Sequence, residues 1–93
     1  MTRLNLQTKP RLTRGTRLHV DVKTGEPVLI FPEGLFQLSE TARDIVARCD
    51  GDLTIQAIIS VLAENYEVEA ATLERDICEC LLELRQHNLV VFE

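Results

Sequence analysis

The side chains of this 93-residue sequence best suited to chemistry are Cys49, Cys78, Cys80, His19, His87 and the close pair Asp50 and Asp52. A nucleophilic thiol or hydroxyl needs a base within reach, and a phosphate site needs a glycine-rich loop. No cysteine stands beside a histidine here, and neither a G-x-S-x-G elbow nor a phosphate loop is present. Cys78 and Cys80 could begin a metal site. On a helix, however, two residues turn the chain by about 200°, so the two thiols point apart. They read instead as small hydrophobes of a core or groove. Asp50 and Asp52 flank Gly51 and suit a helix stop and a turn better than a general acid and base. The sequence therefore predicts a protein that is not an enzyme, with no metal and no cofactor.

The elements that position these residues centre on Leu38 to Leu62. Ser39 is placed to cap a helix, Glu40 puts negative charge at the positive end of its dipole, and Ala42, Ile45, Val46 and Cys49 form one apolar stripe. Asp50-Gly51-Asp52 is the expected end of this first helix, since glycine accepts the left-handed conformation beyond a helix terminus. Thr54 caps the next helix. Leu53 and Ile58 have the spacing of a hydrophobic staple, and Ile55, Ile58, Ile59 and Leu62 repeat the stripe. A third helix is predicted from about Ala70 to Gln86, with Leu73, Ile77, Cys80, Leu81 and Leu84 facing the core. A second line on it, Arg75, Cys78, Leu82 and Arg85, widens the apolar arc. Asn88 is the expected left-handed residue after this helix.

Before the helices, Leu18 and Val20 alternate with Arg17, His19 and Asp21 in the period of a half-buried strand. Turn residues 23–26 lead to the apolar run Val28–Phe31, so the two segments predict a hairpin. Pro32-Glu33-Gly34 breaks that run, and Leu35–Leu38 is expected as a third short strand. Leu89–Phe92 closes the chain as another apolar run. Residues 1–14 show neither period and are expected to form a flexible arm, with a single domain over 15–93. The predicted class is α+β: a three-stranded antiparallel sheet packed on three helices, like a winged helix-turn-helix.

Charge is divided unevenly. Residues 1–25 carry six cations against Asp21 and net +5, whereas residues 26–93 carry four arginines against fourteen acids and net −10. No run of 18 apolar residues exists, and the first ten residues lack an apolar signal core. An odd number of cysteines without framework spacing fits reduced thiols. The expected setting is the cytoplasm, without membrane attachment.

Two binding readings follow from the topology. A DNA-binding winged helix needs a basic recognition helix, but the third helix carries Glu69, Glu74, Asp76, Glu79 and Glu83 against Arg75 and Arg85, so no nucleic-acid partner is expected. A peptide binder instead uses an open sheet edge beside a helix. The expected peptide site is Leu35, Phe36, Gln37 and Leu38 for backbone pairing, with Arg75, Cys78, Leu82 and Arg85 on the helix side. Phe36 or Leu38 could equally be core alone, and the two arginines only solvated. Open edges also permit self-association, so a monomer or weak homodimer is expected.

Pro27-Val28-Leu29-Ile30-Phe31-Pro32-Glu33-Gly34, then Leu38-Ser39-Glu40-Thr41-Ala42 with Ile45, Cys49-Asp50-Gly51 with Thr54 and Ile58, and Asp76-Ile77 with Leu81 and Leu84 together resemble the PqqD family of peptide chaperones. The resemblance spans Pro10 to Val91. It implies binding of a ribosomally made precursor peptide and its presentation to a radical S-adenosylmethionine enzyme during biosynthesis of pyrroloquinoline quinone (PQQ). It also implies that the leader peptide pairs with the third strand and packs on the third helix. Because such recognition domains serve many ribosomal peptide pathways, a leader peptide of another pathway is the alternative. Asn88 stands where the family usually has glycine, and Cys80 where a larger, often aromatic residue is common.

Overall fold

The computed structural model describes residues 4–93, in the order β1 (Pro10–Leu12), β2 (Arg17–Val20), β3 (Pro27–Phe31), β4 (Gly34–Gln37), α1 (Glu40–Val46), α2 (Ile55–Asn65), α3 (Ala70–Gln86) and β5 (Val90–Phe92). The expected meander is present as an antiparallel sheet in the order β2-β3-β4. Its middle strand is the most apolar, with Leu29 fully buried, because it alone has neighbours on both sides. The sheet packs through β3 on α1, and the three helices enclose a core built from Ile45, Ile58, Leu62, Ile77, Leu81 and Leu84.

Both expected helix caps form. The Ser39 hydroxyl accepts from the Ala42 amide at 3.1 Å, and the Thr54 hydroxyl from the Ala57 amide at 3.0 Å. Regular helix α1 stops at Val46, short of Asp50-Gly51-Asp52. The chain tightens there, the Arg48 and Cys49 amides bonding to the carbonyls three residues back. Asp50 still makes the turn, its Oδ1 accepting from the Asp52 and Leu53 amides. Gly51 is left-handed at φ +84°, and a Cβ there would lie 3.2 Å from the Arg11 side chain. Asn88 adopts φ +59° after α3.

The flexible arm expected over residues 1–14 is corrected for the described part, residues 4–14. Strand β1 pairs antiparallel with β5, Arg11 opposite Val91, and its other side bonds to the turn after α1 through Leu12 N to Cys49 O and Gly51 N to Pro10 O. The Leu6 and Thr8 carbonyls accept from the Gln56 and Ile55 amides, so this segment supplies partners for the first amides of α2. Pro10 is buried, and Arg11 pairs with Glu93 at 2.6 Å. The segment has no periodicity because only three residues are in strand and their partners lie at the far end of the chain. The chain is thus β-β-β-β-α-α-α-β. No helix among the described residues is long and apolar enough to cross a membrane.

Candidate functional site

Strand β4 is an edge strand, and the ladder fixes which of its backbone groups are free. Leu38 N donates to Pro27 O, directly opposite it in the register that pairs Gln37 with Val28. Hydrogen-bonded pairs alternate along an antiparallel ladder, so Phe36 and Gly34 also bond to β3, while the amides and carbonyls of Leu35 and Gln37 turn outward. Side chains alternate as well. Leu38 is buried, Phe36 is half-buried with its ring tilted on His87 at a centroid distance of 5.4 Å, and Leu35 is 62% exposed.

Beside this edge lies a cleft of about 460 Å³ between β4, the start of α1 and α3. Phe36, Leu38, Ala42, Cys80 and Leu84 give it apolar surface, Gln37 and Ser39 also line it, and Asp76, Glu79 and Glu83 supply its carboxylates. No lysine or arginine lines it. Burial and the charge of Glu83 push the Cys80 thiol up to about 11, so it is neutral at ordinary pH. Asp76 has Arg75 at 4.0 Å, both well exposed. Another cleft of similar size, lined in part by Thr13, Pro32 and Asn88, meets no open strand edge.

The expected strand residues Leu35, Phe36, Gln37 and Leu38 therefore adjoin one cleft, although Leu38 is core and Leu35 points to solvent. The expected helix residues are not brought there. At about 100° per residue, Asp76, Cys80 and Glu83 share one flank of α3, whereas Arg75, Cys78, Leu82 and Arg85 share the other. Arg85 lies over the Phe92 ring at 5.2 Å, and Cys78 packs against the core. The physical reason is the β1–β5 ribbon. Its strand β5 meets the C-terminal end of that second flank, where Arg85 lies over Phe92, which sequence spacing alone did not reveal. The helix residues that do line the cleft were legible only as Cys80 and Leu84 of the core stripe and as scattered acids. Cys78 and Cys80 fall on opposite flanks, and no three metal-ligating side chains cluster among the described residues.

Against known proteins, the sequence model of coenzyme PQQ synthesis protein D (PqqD) matches residues 26–90. The PqqA binding protein of Azotobacter vinelandii is 32% identical over 90 residues, covering 97% of each chain. The bifunctional coenzyme PQQ synthesis protein C/D of Methylorubrum extorquens is 35% identical over 81 residues, of which this chain spans 87% of itself and 22% of the relative. Among solved structures, the solution structure of the PqqD truncation of Methylobacterium extorquens PqqCD, a stand-alone recognition element for ribosomally synthesised and modified peptides, superposes with a TM-score of 0.78 at 34% identity, covering 88% of this chain and 87% of that one. Lasso peptide synthetase B1 complexed with its leader peptide superposes at 0.76 and 27% identity, covering 89% and 98%. By sequence and by fold, this chain belongs to the coenzyme PQQ synthesis protein D family.

Proposed function

We propose that this chain binds a ribosomally made precursor peptide of the PqqA kind as an added strand on β4, and presents it to a radical S-adenosylmethionine enzyme in PQQ biosynthesis. The observation that carries the reading is the open edge of β4, with the Leu35 and Gln37 backbone groups outward beside a side-chain cleft. Main-chain bonds on such an edge supply affinity, and pockets for every second side chain supply specificity. The relatives named PqqA binding protein support the peptide class. The strand side of the site is Leu35 to Leu38, and Asp76, Cys80 and Glu83 replace the second line of α3 on its helix side. The protein contributes binding and orientation, not chemistry.

Calorimetric titration with the short peptides encoded beside this chain's gene tests the reading. One of them is expected to bind with one-to-one stoichiometry, and turnover of that peptide by the radical enzyme is expected to rise when this chain is added. Absence of binding by every such peptide would overturn the proposal. The similarity to lasso peptide synthetase B1, solved in complex with a leader peptide, supports a second reading, a leader peptide of another pathway. Binding of a neighbouring peptide that belongs to another ribosomal peptide pathway would favour it.

A further inference from the structure

The cleft beside β4 combines two surfaces that rarely suit one side-chain type. Its floor is apolar, from Phe36, Leu38, Ala42, Cys80 and Leu84, and its α3 wall carries Asp76, Glu79 and Glu83 with no lysine or arginine lining it. Asp76 has Arg75 at 4.0 Å, whereas neither Glu79 nor Glu83 enters an ion pair among the described residues. A leucine or valine would use the floor and face unanswered carboxylates at the wall. A lysine or arginine would lay its methylene stem on the floor and place its charge at the wall.

Spacing agrees with this. Glu79 and Glu83 are one helical turn apart, about 6 Å along α3, and alternate residues of an extended peptide are about 6.7 Å apart. Two successive cleft-facing side chains of an added strand can therefore each meet one carboxylate. We infer that the cleft selects a basic peptide: lysine or arginine at one or both of two alternate positions whose side chains face α3. The inference rests on the peptide-binding reading above and specifies the chemical class that this site takes.

The test uses the full chain and the adjacent-gene peptide that binds it. Each lysine or arginine of that peptide is changed singly to methionine, which keeps an apolar stem and removes the charge, and each peptide is titrated against the wild-type chain and against a Glu79→Gln/Glu83→Gln variant. Affinity at low salt is expected to fall about 3- to 10-fold for the double variant, the scale of two exposed ion pairs. The loss should shrink at about 0.5 M salt, where screening is strong. On the wild-type chain one peptide change should match that loss, or two should share it between them, and neither should have a further effect on the variant. Losses that add independently, or affinities within about twofold in every combination, would overturn the charge selection. If the wild-type peptide still shifts the β4 amide resonances in that case, peptide binding stands and only the charge selection falls. A peptide that binds without touching β4 overturns both readings together.

Discussion

At Leu81 the side chain is fully buried among α3 and its neighbours, so Leu81→Ala is expected to cost about 2 to 5 kcal/mol by denaturant titration, the range for an emptied leucine site. Leu82 is half-buried on the flank of α3 away from the cleft. Its truncation should cost less and leave peptide affinity within about twofold, and an affinity loss larger than its stability loss would return the site to that flank. Cys49 makes a second residue-scale prediction. Burial, with the charges of Cys80 and Asp50 added, pushes its thiol from 9.0 up to about 12. The unfolded chain then loses this proton first. Stability is fully present below pH 9 and is lost as pH rises toward 12, and Cys49→Ala should flatten that fall. The thiol's burial was legible from the stripe it shares with Ala42, Ile45 and Val46. The cleft-lining role of Asp76 and Glu83 was not, because an acid on a helix reads as solvated until its neighbour is known.

At the scale of elements, what local chemistry determines was legible, and what distant pairing determines was not. Ser39 and Thr54 cap their helices because each hydroxyl needs only an amide three residues on. Asn88 takes positive φ because the chain must leave α3 there, and Gly51 takes it within the turn that Asp50 makes beyond α1. Strand β1 escaped because its pairing with β5 is set by residues about 80 positions away, and the Phe92 of that ribbon packs under Arg85 on the second flank of α3. The alternation within β4 gives an element-scale prediction. The Gln37 amide points away from β3, so Gln37→Pro removes a free donor while sparing the ladder that Phe36 makes with Leu29. Peptide affinity should drop about 5- to 10-fold, the equivalent of one net hydrogen bond, while the thermal midpoint stays nearly unchanged. A large fall in midpoint with affinity intact would place the Gln37 amide in the sheet instead.

At the scale of the molecule, the acidic body and the basic segment over residues 4–25 are held together by backbone bonds rather than by a linker. Removing residues 1–12 takes away the Leu6 and Thr8 carbonyls from the start of α2 and the Pro10 carbonyl from Gly51. At roughly 1 kcal/mol for each net bond, with the packing of Pro10 added, the loss should reach at least about 3 kcal/mol, seen as a lower melting temperature. An unchanged midpoint would return that segment to the flexible arm that its sequence alone suggests. The sheet has a second open edge at β2, and among the described residues β5 is paired only by β1, so these offer a partner strand three places to add, of which β4 is the one proposed. Amide hydrogen exchange of the chain with and without its precursor peptide decides among them. Without peptide, Leu35 and Gln37 should exchange quickly and Phe36 slowly. With peptide, protection should rise at Leu35 and Gln37 and stay level at β2 and β5, whereas new protection at β2 or β5 with none at β4 would contradict the assignment of the site.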